Sequence, residues 1–119
     1  MQNNRKVGNH YEQMAAQYLS DKGYRIVAVN YRIRQAEIDI IAYDNNCLVF
    51  VEVKYRKNTL NGHPFEAVTP AKIRKICRAA LSYLQIHHLL IDETKIRFDV
   101  VGIIGTEIQH LKHAFDYVG

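Results

Sequence analysis

No apolar run in this chain approaches the ~18 residues that a membrane-spanning helix needs. The first residues, Met1-Gln2-Asn3-Asn4-Arg5-Lys6, lead into no signal-peptide core. These absences predict a cytoplasmic protein with no membrane partner. Cysteine is scarce: Cys47 and Cys77 are too few and too far apart for a disulfide framework or a zinc site, so reduced, buried thiols are expected. There is no glycine-rich loop of the kind that cradles phosphates, and no Ser or Cys stands in a recognisable nucleophile setting.

The 119 residues suit one domain, 1–119, large enough for a real core. Apolar residues at 48% and charged residues at 24% are near the globular average, which argues against disorder. Sixteen Lys and Arg against twelve Asp and Glu leave a net charge of +4, compatible with a polyanionic partner. Several of the acids gather in one stretch, so the remaining surface is more basic than the total suggests.

That stretch runs from Glu37 to Lys54. Two apolar, β-branched runs flank Asp44-Asn45-Asn46, and Asn tolerates the positive φ of tight turns, so the segment reads as an antiparallel hairpin. A two-residue loop at Asn45 and Asn46 places Asp39 opposite Glu52 and Glu37 opposite Lys54, all four on one face. A three-residue loop would instead pair Asp39 with Val51, so the arrangement depends on turn length. The other face carries Ile38, Ile40, Val49, Val51 and Val53 as expected core. Opposed carboxylates ~5 Å apart at an effective dielectric of about 20 repel by on the order of 3 kcal/mol. Lys54 offsets one charge; a divalent cation with oxygen ligands would offset both.

Upstream, Tyr11, Met14, Ala15, Tyr18 and Leu19 form the buried stripe of a helix over 9–22, stopped by Gly23. Glu12 lies beside the stripe, and taken alone it reads first as a first-turn acid favourable to the helix dipole. Tyr24 to Ile33 reads as a strand. Asn58 to Pro64 is the longest expected loop. Thr69 before Pro70 is a strong helix start, with Ile73, Ile76, Cys77, Ala80, Leu81 and Leu84 turned inward as far as about Gln85. Lys72, Arg74, Lys75 and Arg78 occupy the rest of its N-terminal half with no interleaved acid, and so suit either phosphate contact or a solvated face. Ile96 to Ile104 is a strand, and after Gly105-Thr106 the residues Glu107 to His113 are placed to pair back on it. The order helix, three strands, helix, strand, with room for one strand more, predicts an α/β sandwich with a mixed sheet. His110 and His113 fall on opposite faces of a strand, so no shared metal site is expected there. Tyr31 and Tyr55 are expected to pack on the sheet rather than to stack on bases.

Asp39, then Glu52-Val53-Lys54 on the next strand, with Glu12 on a preceding helix, resembles the PD-(D/E)XK nuclease superfamily of restriction endonucleases and archaeal Holliday junction resolvases. Within it, Glu37-Ile38-Asp39-Ile40-Ile41, Leu48-Val49-Phe50-Val51-Glu52-Val53-Lys54, Arg56 and Arg97-Phe98-Asp99-Val100-Val101 resemble the YraN-like bacterial family over nearly the whole chain. Ile38 stands where the superfamily name has proline, and Ala36 where the YraN-like motif usually has glycine. The resemblance implies a restriction endonuclease-like α-β-β-β-α-β core with helices flanking a mixed central sheet. It implies Mg²⁺ or Mn²⁺ on Asp39, Glu52 and the carbonyl of Val53. Lys54 would orient or deprotonate the attacking water, and Glu12 would be an outer-shell or second-metal ligand. Arg56, Lys72, Lys75 and Arg78 are the expected nucleic-acid contacts, and the resolvase-like relatives imply a homodimer.

Three functions follow. The first is a metal-dependent endonuclease acting on DNA, including branched or single-stranded forms. The second is a nucleic-acid-binding module that kept the fold without cleaving. The third is a protein-interaction domain whose carboxylates are neutralised by Arg32, Arg34 or Arg56.

Overall fold

The computed structural model describes residues 2–119, with side chains from residue 9 onward. The elements are α1 (Gln2–Asp21), β1 (Arg25–Ile33), β2 (Ala36–Asp44), β3 (Cys47–Arg56), a 3₁₀ turn (Pro64–Ala67), α2 (Pro70–Ile86), β4 (Ile96–Ile104) and β5 (Glu107–Phe115). This is the expected order with the additional strand present. The 3₁₀ turn at the end of the long loop was not read from the sequence.

Helix α1 begins well before Asn9, so Glu12 sits mid-helix and is not the first-turn acid of the simplest sequence reading. Its end is the predicted glycine stop: Gly23 takes φ +94, its N–H bonds the Ser20 carbonyl, and the Tyr24 N–H bonds the Leu19 carbonyl at 3.0 Å. Helix α2 opens on Thr69, whose hydroxyl accepts from the Lys72 N–H, with Pro70 at the first helical position. Its buried stripe is Ile76, Cys77, Ala79, Ala80, Tyr83 and Leu84. Tyr83 belongs to the stripe, its ring edge-on to those of Tyr31 and Phe50, while Leu81 is only half-buried.

The sheet has the order β1-β2-β3-β4-β5, antiparallel throughout except for the β3–β4 pair, whose parallel pairing is made possible by the crossover through α2. A core cluster containing Ala15 and Leu19 of α1 includes Ile40, Ala42, Val49, Val51, Val101 and Ile103. A second, containing the α2 stripe, includes Ile38, Ile41, Leu48, Phe50 and Phe98. A sheet covered by a helix on each face buries its central strands on both sides, which is why β2, β3 and β4 read as continuous apolar runs. Cys47 and Cys77 are free and buried in these clusters, as expected.

The hairpin register is the one the two-residue loop requires: Asp44 pairs with Cys47, Ala42 with Val49 and Ile40 with Val51, and Asn45 takes φ +54 in the turn. The ladder stops there. Asp39 and Glu52 do not continue it as a paired rung, and neither do Glu37 and Lys54. Ile38 leaves the cluster of Ile40, Val49, Val51 and Val53 and packs on the α2 side. The physical reason is local. The Val53 N–H donates to Asp39 Oδ2 at 2.8 Å, displacing the next backbone rung, while Asn30, across from Asp39 in β1, holds φ +52 and twists that strand.

Candidate functional site

Where β2 and β3 part, a cleft of about 340 Å³ opens between the two helices. Tyr11 and Glu12 come from α1, Glu37 and Asp39 from β2, Glu52, Val53, Lys54, Tyr55 and Arg56 from β3, and Lys72 from α2. The four proposed catalytic residues are therefore brought together, along with two of the four basic residues. Lys75 and Arg78 are not in the cleft; they lie exposed on α2.

Two acids of the cleft are buried, Asp39 at 8% exposure and Glu52 at 3%. Burial and then the charge of Glu52 push the Asp39 carboxyl up to about 8, against the pull of the Val53 N–H. Glu52 is held differently. The ammonium groups of Lys54 and Lys72 lie 3.2 and 3.4 Å from the same oxygen, Oε2. Burial and the charge of Glu37 also raise the Glu12 carboxyl, while hydrogen bonding with Asn30 and Asp39 draws it down. Glu37 pairs with Arg32 at 3.2 Å rather than with Lys54. Glu52 is thus met by two lysines, and of the arginines named in the protein-interaction reading Arg32 pairs with Glu37. Arg56 donates to the Tyr55 carbonyl at 3.1 Å.

Tyr11 and Tyr55 stack at 3.7 Å between ring centroids, tying the mid-section of α1 to β3 at the edge of the cleft. Tyr31 packs on Tyr83 and shares a hydrogen bond with Ser82 at 3.0 Å. On the other flank of the cleft, the 3₁₀ turn is locked by His63. Its Nδ1 accepts from the Phe65 N–H, which fixes the neutral tautomer with a proton on Nε2, and that nitrogen donates to Gln109 Oε1 at 2.7 Å. Pro64 and Phe65 then lie against Gly102, the β4 partner of Lys54.

Among the described residues no three His, Cys, Asp or Glu side chains form a ready-made metal cage. His110 and His113 have separate partners. His110 meets Asp99 and His113 meets Asp116, both at 2.7 Å.

Sequence reasoning gave no role to the cluster around Asp99, which is fully buried. Arg97 grips both its oxygens, from Nε at 2.8 Å and Nη2 at 3.0 Å, and reaches Asp44 at 3.0 Å. Tyr24, His110 and the His113 N–H complete the shell. Burial raises the Asp99 carboxyl, but the hydrogen bonds of His110, Arg97 and His113 outweigh it and hold it at about 2. None of these residues lines the cleft. The available signal was two charges alternating with apolar residues in Arg97-Phe98-Asp99-Val100, a strand otherwise apolar.

The profile of a family described as "Uncharacterised protein family UPF0102" matches residues 11–103. A UPF0102 protein of Lachnoclostridium phytofermentans is 50% identical over 117 residues, covering 98% of each chain. Another, from Vibrio cholerae, is 44% identical over 114 residues, covering 94% of this chain and 93% of its own. A third, from Chlorobium limicola, is 50% identical over 101 residues, 83% of this chain and 75% of the relative.

Proposed function

This chain belongs to the uncharacterised protein family UPF0102, the YraN-like family that its motifs resemble, and we propose that it is a divalent-metal-dependent nuclease hydrolysing DNA phosphodiester bonds. The observation that carries this reading is the convergence of Asp39, Glu52 and Lys54 on one cleft, with both carboxylates buried.

The donor set fits Mg²⁺ or Mn²⁺. Two carboxylates, one backbone carbonyl and water suffice for such hard cations, so a cage of three acidic side chains is not required. The upward push on Asp39 comes from burial first and then from the charge of Glu52, and a bound cation would relieve both. Asp39, Glu52 and the Val53 carbonyl would hold the ion. Once bound, it would polarise a phosphoryl oxygen and acidify a coordinated water. Lys54 projects its ammonium beside Glu52, where it can orient that water and stabilise the charge that builds on the phosphorus oxygens. Glu12 enters the same cleft from α1 and would serve as an outer-shell or second-metal ligand. Arg56 and Lys72 line the same cleft and suit backbone phosphates, while Lys75 and Arg78 extend the positive face along α2. No helix of the described residues is long and apolar enough to cross a membrane.

A panel of duplex, single-stranded and branched DNA incubated with Mg²⁺ or Mn²⁺ tests the proposal. Asp39→Asn and Lys54→Ala should each lower cleavage by ~100-fold or more. Cleavage that survives in both variants would rule out this site. A second reading, a nucleic-acid-binding module that does not cleave, is favoured by the two ammonium groups that already balance Glu52. DNA binding that falls steeply with salt, with no product in any metal, would select it.

A further inference from the structure

We propose that Lys72 is a built-in stand-in for the divalent cation: it occupies Glu52 in the metal-free protein and moves to a substrate phosphate when the cation takes that carboxylate. This rests on the metal reading of Asp39 and Glu52.

The first argument is surplus. One ammonium balances one carboxylate, yet Glu52 Oε2 has two, Lys54 at 3.2 Å and Lys72 at 3.4 Å. Lys54 sits two residues along the same strand and stays beside Glu52 in either state. Lys72 arrives from a different element, on a flexible four-carbon stem, and its side chain is 33% exposed, so its ammonium is free to swing into the cleft.

The second argument is position. Lys72 lies in the first turn of α2, where the helix dipole opposes a cation, and this turn contains no acid. Thr69 caps the Lys72 backbone N–H but does nothing for its side-chain charge. The nearby buried acid is what makes a lysine tolerable there. When that acid is taken by a metal ion, the ammonium and the helix terminus together favour an anion, and a phosphodiester is the anion that the proposed reaction brings.

Two competitions follow. The cation and Lys72 compete for Glu52, and Glu52 and phosphate compete for Lys72. Metal and nucleic acid therefore assist each other's binding, with Lys72 as the coupled element. A residue that only contacts phosphate would leave metal affinity unchanged. A residue that only supports the fold would weaken it on removal.

The experiment is calorimetric titration of the intact protein with Mg²⁺ alone, comparing wild type, Lys72→Met and Lys72→Arg, with far-UV melting curves to show that all three fold. Lys72→Met should bind Mg²⁺ roughly fivefold tighter, the effect of removing one partly buried ionic competitor, and Lys72→Arg should stay near wild type. In Ca²⁺, Lys72→Met should bind a single-stranded DNA oligonucleotide roughly fivefold more weakly. Equal or weaker Mg²⁺ binding by Lys72→Met overturns the stand-in role, and unchanged DNA affinity overturns the transfer to phosphate. Absence of Mg²⁺ binding in all three proteins overturns the metal reading on which both depend.

Discussion

The Val53 N–H donates to the Asp39 carboxylate at 2.8 Å, where an uninterrupted hairpin would give it to the Ile38 carbonyl. One hydrogen bond thus ends the β2–β3 ladder and anchors the buried acid. It also keeps Asp39 and Glu52 close without stacking them as a paired rung, and their mutual repulsion makes the cleft sensitive to pH.

Stability should fall as pH rises from about 4 to about 8. Asp39 stands at about 8 in the folded protein against an ordinary 3.8, raised first by burial and then by the charge of Glu52. Across that window the folded state binds more protons than the unfolded chain. The stabilising contribution is therefore complete below about pH 4 and lost as pH climbs through the folded value, by on the order of a few kcal/mol. Asp39→Asn keeps an acceptor for Val53 and removes the charge, so it should flatten the profile and raise the melting temperature at pH 8 and above. Thermal melts of both proteins across the range check this; a wild-type profile as flat as that of the variant would contradict it. Added Mg²⁺ should stabilise wild type more at the upper end, because its ligands must be ionised.

The opposite sign applies to Asp99. Its folded value of about 2 lies below the ordinary 3.8, so its contribution is present above the ordinary value and is lost as pH falls toward the folded one. Asp99→Ala strands the Arg97 guanidinium among buried groups and should cost about 3 to 5 kcal/mol in urea unfolding at neutral pH. Since Asp99 lies outside the cleft, the folded fraction of this variant should retain wild-type Mg²⁺ affinity. An altered affinity would show that the buried cluster and the cleft are coupled.

Gly102 should resist substitution. A Cβ there would lie 2.9 Å from Phe65 Cε1 and 3.2 Å from Pro64 Cβ, so the 3₁₀ turn would have to move off β4. Gly102→Ala is expected to cost about 1 to 3 kcal/mol, the usual range for overpacking. Phe65→Ala should also destabilise by removing the ring, yet in combination the losses should be less than additive, because the shortened side chain makes room for the methyl group. A double-mutant cycle by urea denaturation measures that coupling.

Much of this molecule is legible in its residues because the signals are local. The helix ends follow from Gly23 and from Thr69-Pro70, and the Asn45-Asn46 turn fixes the pairing of Ile40 to Asp44 with Val51 to Cys47. Those elements in turn bring Asp39, Glu52 and Lys54 to neighbouring strands. Burial at two faces also shows directly, in strands that are apolar on both sides. Misread were Ile38, which changes sides at a hydrogen bond between a side chain and a distant backbone, and Leu81, which is only half-buried because the stripe centres on Ile76, Ala80 and Tyr83.

By itself, then, the order of amino acids determined the main helices and strands, the end of α1, the start of α2 and the two-residue turn as one of two hairpin registers, and it put Asp39, Glu52 and Lys54 on neighbouring strands. Turn chemistry and periodicity act over a few residues and need no knowledge of the rest. Only the folded chain decided that Lys72 crosses from α2 to share Glu52 with Lys54, that Glu12 joins Asp39 in the cleft from the middle of α1, and that Arg97, Asp99 and His110 close a buried network. Such meetings join residues far apart along the chain. They depend on how helices pack on the two faces of a twisted sheet and on how much water that packing removes from each charge.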